Sequence, residues 1–508
     1  MRLGSHPIRP YPLYLILECG MSFLLGISYA TITVYWVISG RLNPLQLLLL
    51  GTALELSYFL FQLPTGALAD LVSRRLCTLA GLFVVGLALI MESLSPAFAN
   101  LIAAQVVLGL GAALNNGAQE AWVADELAGQ LGDDRMTGVY LRATQYGLIA
   151  TVAGSLLAGL IALAGLNFPL LTGGSLICLL AIGAGVVMPE NNFRPALRQS
   201  AAGLPAVGLP AAGLPAAGQS APRPVGFRQR IALVTVVARS GRTLLAAQTR
   251  ATHRAVIAVP GLVLLLGMTL FTGMWSESFD RLWGAFLLRD IRFPQVGWMH
   301  PAMWFSLFAC LSALLGLGST ELARRRTGRL GPDSVAGALL VLTLSIGGVV
   351  VVMSTAHAFA IAAGAYVAVS VLRPVLDPLL SGWLVSRIEP GVRATALSAK
   401  DMFDSAGQIA GGPVFGVIGT LATIRIALLA GAAALAPAAA CVSAASRRIR
   451  PRTSQSIADA ELADAELADA SSGPSGASAE PSGTRAEPSG ASAVIADASA
   501  GVGPGLPG

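Results

Sequence analysis

Four acidic side chains stand inside long apolar stretches of this sequence, where a charge has no aqueous partner: Glu18, Glu55, Glu120 and Asp377. An ionised side chain at the centre of a membrane helix costs about 2.5 to 3.5 kcal/mol on insertion scales, and such residues are usually functional. A carboxylate in this setting can take up and release a proton. These acids, with Arg373 one helical turn before Asp377, are therefore candidates for proton coupling or for lining a polar substrate cavity.

Most of these residues also have a purely structural interpretation. Arg373 and Asp377 stand at i and i+4, so they can neutralise each other on one helix. Glu18 and Glu120 lie close enough to a membrane surface to reach water or interfacial arginines. Glu55 stands in the middle of its apolar stretch with no cation in the same helix, so the pattern favours a function for this residue.

The sequence lacks the motifs of the common catalytic and metal sites. Its one lysine, Lys400, is not part of the Gly-Lys-Ser/Thr sequence that a phosphate-binding loop requires. No His-Glu-x-x-His or Gly-x-Ser-x-Gly cluster is present, and the five cysteines and four histidines are dispersed. We expect no enzymatic activity, no ATP hydrolysis, no metal and no cofactor.

The elements that must position these residues are membrane helices. Of the 508 residues 54% are apolar and only 12% are charged, whereas soluble proteins carry about 25% charged residues. Windows of about 19 residues predict twelve apolar helices, six on each side of a long linker. They lie near 13–38, 45–65, 76–95, 97–119, 139–163, 168–188, 257–279, 297–318, 332–354, 358–386, 395–420 and 422–445. The predicted fold class is an all-α integral membrane protein with twelve transmembrane helices in two six-helix bundles.

Composition divides the chain into four parts. Two six-helix bundles, 1–189 and 257–446, flank a linker at 190–256, and an acidic tail occupies 447–508. The linker opens with Gly-Leu-Pro repeats, which cannot build a core. It ends in a basic segment that is either an amphipathic helix on the membrane surface or a continuation into the seventh span. The tail is poor in aromatic residues, so we expect it to be disordered.

The distribution of basic residues predicts an orientation. Most arginines fall in the segments that share a side with the N-terminus, and the positive-inside rule places that side in the cytoplasm. The other side holds five: Arg41, Arg281, Arg289, Arg292 and Arg425. We expect a protein of the cell membrane with both termini cytoplasmic. Glu277, Asp280 and Arg281 would then lie near the outer end of the seventh span, as an external gate or cap.

A spaced motif, Gly-x-x-x-Asp-x-x-x-Arg-Arg, follows the second predicted span at Gly66, Asp70, Arg74 and Arg75. Glycine lets two helices approach closely, aspartate caps or pairs at a helix end, and arginines lie at lipid headgroups. The loop after the eighth span carries a degenerate copy, in which Leu317 replaces the glycine. The matching charged residues there are Glu321, Arg325 and Arg326.

A second correspondence links the fifth and eleventh spans, which both carry closely spaced small residues suited to helix packing. The fifth span contributes Gly154 and Gly159. The eleventh contributes Gly411, Gly412, Pro413 and Gly416. The internal repeat of both features indicates two related halves.

The acid-arginine loop in both halves resembles the signature loop of the major facilitator superfamily of transporters. The resemblance covers roughly residues 11–445 and leaves out the linker and the tail. It implies two bundles that rock around a central cavity and expose it to either side in turn. It also implies that the loops at Asp70 and Glu321 take part in gating.

Two further segments, 117–127 and 373–378, look like the bacterial multidrug and tetracycline-type drug:proton efflux branch of that family. One position departs from the pattern. The family places an arginine four residues before a glycine of the fourth span, and here Gln105 stands before Gly109. The proton-relay role of that arginine is therefore not carried over.

The resemblance implies a secondary active transporter, with proton-coupled export of small amphipathic molecules as the leading hypothesis. Its partners would be a small-molecule substrate, protons and the lipid bilayer, with no nucleic acid, and we expect a monomer. Two alternatives stay open at this point: a related permease that imports a small solute, and a membrane sensor that transports nothing.

Overall fold

The computed structural model describes residues 9–128, 133–193, 261–297, 299–327, 332–388 and 390–448. Within these ranges the chain is helical and contains no β-strand. Three predicted features lie outside the described residues: the Gly-Leu-Pro repeats, the basic segment that follows them, and the acidic tail beyond 448.

Twelve long helical segments follow one another along the described chain. They are α1 (Pro10–Ser39), α2 (Pro44–Leu71), α3 (Arg74–Leu94), α4 (Phe98–Leu127), α5 (Asp133–Ile161), α6 (Phe168–Val187), α7 (Leu262–Asp290), α8 (Pro301–Thr327), α9 (Pro332–Thr355), α10 (Phe359–Arg387), α11 (Pro390–Leu421) and α12 (Ile424–Arg448). We call α1 to α6 the N-terminal half and α7 to α12 the C-terminal half.

In the described ranges eleven of these segments are long and apolar enough to cross a membrane. The exception is α11, whose 32 residues include Lys400, Asp401 and Asp404. The predicted fold class, an all-α membrane protein of twelve helices, is confirmed. Segment α11 differs from the other eleven helices in carrying these charges.

Local sequence explains where several helices begin and break. Asn43 and Gln46 form a reciprocal capping box at the start of α2, and Ser73 caps α3 by accepting from the backbone N–H of Leu76 at 2.9 Å. Segment α4 is interrupted at Gly117, whose φ of 70° is a conformation that glycine adopts without strain. The break gives the last ten residues of α4 a separate direction.

The predicted packing glycines occupy equivalent places in the two halves. A methyl group on Gly154 of α5 would lie 2.0 Å from the backbone oxygen of Phe23 in α1. A methyl on Gly411 of α11 would lie 2.8 Å from the backbone oxygen of Met274 in α7. The fifth helix of each half therefore packs closely on the first helix of the same half.

The same two helices also join the halves. A methyl on Gly159 of α5 would lie 2.9 Å from Ser306 Oγ of α8, and one on Gly412 of α11 would lie 2.0 Å from Thr52 Oγ1 of α2. Gly416, one turn after Gly412 and beyond Pro413, lies against Leu45 of α2. Contacts from α5 to α8 and from α11 to α2 thus form the interface.

The two ends of the helix bundle differ. Because successive helices run antiparallel, the loop that carries Arg74 and Arg75 shares one end with Pro10, and we call it the basic end. At the opposite end Arg289 donates to the backbone oxygen of Leu42 at 2.5 Å. There the Leu45 N–H also donates to Thr420 Oγ1 at 3.0 Å. These hydrogen bonds tie the halves together at the opposite end.

The hydrophobic core follows the same division. One large cluster contains residues of both halves, including Trp36 and Leu47 with Trp275 and Phe286. Two smaller clusters stay within single halves, one around Trp122 and Val123 and the other around Trp383, Leu384 and Val442. Among the described residues, the halves are sealed at the opposite end and pack separately at the basic end.

The seventh helix corrects one prediction. Segment α7 spans Leu262–Asp290 rather than 257–279, so Glu277 stands at mid-helix and is only 2% exposed. The prediction that Glu277 and Arg281 form a cap near the outer end of the seventh span is therefore wrong. A hydropathy window ends a span at such charges, whereas here they are paired with each other inside the protein.

Candidate functional site

A polar cavity of about 380 Å³ lies between the two halves near the middle of the bundle. Glu55 and Tyr58 of α2 form one side, and α11 forms the other with two acids. The lining residues are Leu54, Glu55, Tyr58, Ala112, Asp401, Asp404, Ser405 and Gln408. Of the described residues that line it, three are carboxylates and none is basic, so the cavity is suited to a cation.

The elements that build the cavity are held by the glycine contacts described above. Gly412 of α11 lies against Thr52 of α2, and the cavity opens between the same two helices one to two turns nearer the basic end. Across it, Ser405 Oγ donates to Glu55 Oε2 at 3.4 Å. Gln408 Nε2 donates to Asp404 Oδ2 at 2.8 Å. Glu55, predicted as the leading coupling residue, therefore faces the interface between the halves.

Beside this cavity, a charged pair of α7 docks directly onto α2. Arg281 Nε lies 3.2 Å from Glu277 Oε1. A methyl group on Gly51 of α2 would lie 1.6 Å from Glu277 Oε1 and 2.4 Å from Arg281 Nε. The pair thus occupies the space that a larger residue at position 51 would fill. Arg281 also lies over the Trp36 ring of α1, with its Cζ 5.5 Å from the ring centroid.

The pairing of Arg373 with Asp377 is a correction. In the structure Arg373 Nη1 lies 2.5 Å from Asp280 Oδ1 of α7. Asp377 instead contacts Lys400 of α11, which also lies 3.2 Å from Asp401. Each member of the i, i+4 pair therefore has its partner on another helix, a relation that spacing along one helix does not reveal.

Glu18 and Glu120 lie in the N-terminal half, toward the basic end, and neither lines the cavity. Glu18 Oε2 accepts a hydrogen bond from Gln119 Nε2 at 3.2 Å, so its described partner is an amide rather than an arginine. The side chain of Glu120 is exposed, and its backbone oxygen accepts from the Tyr140 hydroxyl at 3.2 Å. The structure thus separates these two acids from Glu55.

The predicted gating loop at the basic end is a compact network. Arg74 lies 3.2 Å from Asp70 and 2.7 Å from Asp125 of α4. Arg75 Nη2 donates to the backbone oxygen of Gly185 at 2.5 Å. A methyl on Gly66 would meet nothing within 4 Å. The loop is therefore bound to α4 and α6, within its own half.

One part of this loop system, Glu190, was not visible in the motif. Glu190, just after α6, accepts from Ser73 Oγ at 2.8 Å and from the Arg75 N–H at 3.1 Å. In the second copy Arg325 lies 2.7 Å from Glu321. The side chain of Arg326 lies outside the described residues.

A fully buried acid, Glu92 of α3, escaped the sequence reasoning. It is 0% exposed, and its carboxylate accepts from Trp36 Nε1 at 2.5 Å and from Gln105 Nε2 at 3.2 Å. Its position near the predicted end of the third span gave no reason to treat it as buried. Gln105, noted as a departure from the family pattern, is thus a partner of this acid.

No protein-family model matches the sequence, and no curated protein matches it. Solved structures do resemble its fold. The nucleoside transporter NupG aligns with a TM-score of 0.63 and 12% identity, over 86% of this chain and 99% of that one. The peptide transporter POT in complex with sulfate aligns with a TM-score of 0.60 and 15% identity, over 88% and 96%. A POT family transporter bound to a thioalcohol-conjugated peptide aligns with a TM-score of 0.58 and 13% identity, over 85% and 94%. The predicted all-α fold of twelve helices is thus shared with these solved structures.

Proposed function

We propose that this protein is a secondary active transporter that works by alternating access and exchanges protons for a small amphipathic molecule, most readily a cation. The observation that carries the proposal is the cavity between the halves, where Glu55 faces Asp404 and Ser405. The twelve-helix fold, shared with solved nucleoside and peptide transporters, supports it.

The coupling follows from the acids. A proton and an organic cation compete for the same carboxylates, since each neutralises a charge that is costly inside a bilayer. When Glu55 is protonated the cavity loses affinity for the cation, and when it is ionised the cation binds. Tyr58 adds an aromatic face that attracts cations. Exchange of a proton for the organic cation therefore couples the proton gradient to the cation gradient.

The direction we propose is export, with the basic end toward the cytoplasm of a cell membrane and both termini on that side. The arginines of that end support this orientation through the positive-inside rule. A multidrug or antibiotic exporter would take its substrate from the basic end, where the halves pack separately in this structure.

The second candidate is a permease that imports a small polar solute with the same machinery. The observation that favours it is the shared fold with structures named as nucleoside and peptide transporters. Alternating access serves both directions, so the sign of net movement distinguishes the two.

The test uses the full chain in proteoliposomes with an imposed pH difference and two probes, tetraphenylphosphonium and ethidium. We expect each probe to accumulate against its gradient while protons move the other way. Glu55→Gln, a mimic of the protonated form, should abolish uphill accumulation and retain downhill exchange. Glu120→Gln is the matched control, because its exposed carboxylate lies outside the cavity, and it should behave as wild type.

Three outcomes would contradict the proposal. Accumulation by Glu55→Gln at wild-type levels would remove Glu55 from coupling. Equal loss in Glu120→Gln would show that the cavity is not the site. Failure of both cations, together with uptake of a nucleoside or a dipeptide, would establish the import alternative.

A further inference from the structure

We propose that Glu92 is a second proton-binding site, which takes up a proton when Arg281 of the C-terminal half withdraws from Trp36. The inference concerns a site apart from the cavity, and it rests on the proposed function only in assuming that the halves separate at the opposite end. Its ligand is the proton, drawn from the solvent that enters when that end opens.

Glu92 is held by neutral donors alone. Trp36 Nε1 of α1 and Gln105 Nε2 of α4 donate to its carboxylate, and among the described residues no basic side chain lies within the 4 Å of an ion pair. Two tyrosines of α1, Tyr29 and Tyr35, also interact electrostatically with this carboxylate. The Tyr35 hydroxyl donates to the Glu92 backbone oxygen at 3.1 Å.

One cation acts on Glu92 from a distance, and it belongs to the other half. Arg281 of α7 is the basic group that interacts electrostatically with this carboxylate. Its guanidinium lies over the face of the Trp36 ring, whose N–H contacts Glu92. The indole therefore stands between the positive charge of one half and the negative charge of the other.

When the halves separate, Glu92 loses its electrostatic interaction with Arg281. Arg281 is paired with Glu277 on its own helix, so it moves with α7. Glu92 would then be an ionised group among neutral donors in a buried site, which costs several kcal/mol. Binding one proton converts the carboxylate to a neutral acid and removes that cost. Closing the end returns Arg281 to Trp36, and the same proton passes back to the solvent as that solvent leaves the end.

Gln105 is suited to both protonation states. Its amide nitrogen donates to the carboxylate, while its buried Oε1 accepts no hydrogen bond from any residue that the structure describes. A protonated Glu92 has an O–H to donate, and the amide oxygen of Gln105, turned toward it, accepts that bond. An arginine at position 105 would supply only donors. The glutamine thus satisfies the acid whether or not it carries a proton.

The test is infrared difference spectroscopy of the full chain in lipid, recorded as a function of pH in the carboxylic-acid C=O region. Wild type should show a titrating band that Glu92→Gln loses. Arg281→Gln should shift the band to higher pH, because the acid keeps its proton when the distant cation is absent. Asp290→Asn, which removes a carboxylate 3.6 Å from Arg425 at the same end, is the control and should retain the band.

If Glu92→Gln does not fold, Trp36→Phe serves instead, because loss of the N–H donor should also move the band to higher pH. A spectrum of Glu92→Gln, or of Trp36→Phe in its place, that is identical to wild type would overturn the inference. The two proposals fail separately. A protein with the Glu92 band that carries no probe contradicts only the proposed function, whereas Glu55-dependent transport without the band overturns only this inference.

Discussion

The substitution Gly51→Ala tests a contact between α2 and α7 that joins the halves between the cavity and the opposite end. The added methyl would lie 1.6 Å from Glu277 Oε1 and 2.6 Å from its Cδ, so the whole carboxylate must withdraw from α2. Overpacking of this kind costs about 1 to 3 kcal/mol. The gain in helix propensity from glycine to alanine applies to both conformations and cancels. At ~2 kcal/mol, the population in which this end is open rises about 30-fold.

Thiol labelling measures that population. Leu42→Cys introduces a thiol at a position that is 2% exposed and lies beside Arg289 at the seal. A membrane-impermeant reagent reacts with it only while the end is open. Mass spectrometry of the peptide that contains position 42 separates it from the natural cysteines. We expect the labelling rate to rise about 30-fold when Gly51→Ala is added.

The matched control is Gly364→Ala, the same substitution in α10 at a position where a methyl meets nothing within 4 Å. It should leave the labelling rate unchanged. An unchanged rate in Gly51→Ala would refute the reasoning, since it would mean that the Glu277 and Arg281 pair is not docked on α2 in the membrane.

Two further substitutions test the basic end. In this structure the methyl group of Gly66→Ala would meet no atom within 4 Å, but it opposes closure of the basic end. If the methyl adds ~1 kcal/mol to the free energy of that closure, the opposite end opens less often and labelling of Leu42→Cys should fall about fivefold. A rise in labelling would contradict this. Asp70→Asn leaves Arg74 bound to Asp125, so the fold should survive while turnover drops a few-fold, in line with ~0.2 to 1 kcal/mol for an exposed pair. Probe binding by equilibrium dialysis should stay at wild-type affinity, and loss of membrane insertion would show that the loop serves biogenesis instead.

Hydropathy predicted most of the helices because a membrane helix is specified by an apolar run of about 20 residues. One of its errors falls where charges enter a helix. Segment α7 continues beyond its predicted end at residue 279 and through Arg281, which is paired with Glu277 inside the protein. Pairing is a tertiary property, so a window along the sequence scores such residues as the end of a span.

The glycines were predictable for a different reason. Gly154 and Gly411 serve the same close approach in each half, and an internal repeat preserves that requirement in the sequence. The ion pairs that the structure describes inside the bundle, by contrast, do not recur at matching positions of the two halves. Arg373 pairs with Asp280 across helices, and only the i, i+4 alternative could be seen in advance. Among the residues that the structure describes, no charged side chain of the N-terminal half pairs with Glu92, so no pattern pointed to it.

Most of the charged groups described above in the C-terminal half are ion-paired within it, with Asp404 of the cavity as an exception, and this bears on which acids bind protons in the proposed cycle. Three pairs in the C-terminal half are internal to it: Glu277 with Arg281, Asp280 with Arg373, and Asp377 with Lys400. Three acids of the N-terminal half, Glu18, Glu55 and Glu92, instead accept hydrogen bonds from an amide, a hydroxyl and an indole.

This asymmetry determines what each half needs when the two move apart. The C-terminal pairs move as neutral units, because both members belong to the same half. In the proposed cycle Glu55 would lose Ser405 and Glu92 would lose Arg281, so each would then be neutralised by a proton or, in the cavity, by a cationic substrate. In the proposed cycle, proton binding by Glu55 and Glu92 would therefore be governed by the hydroxyl donor and the arginine that the C-terminal half brings to these acids or takes away.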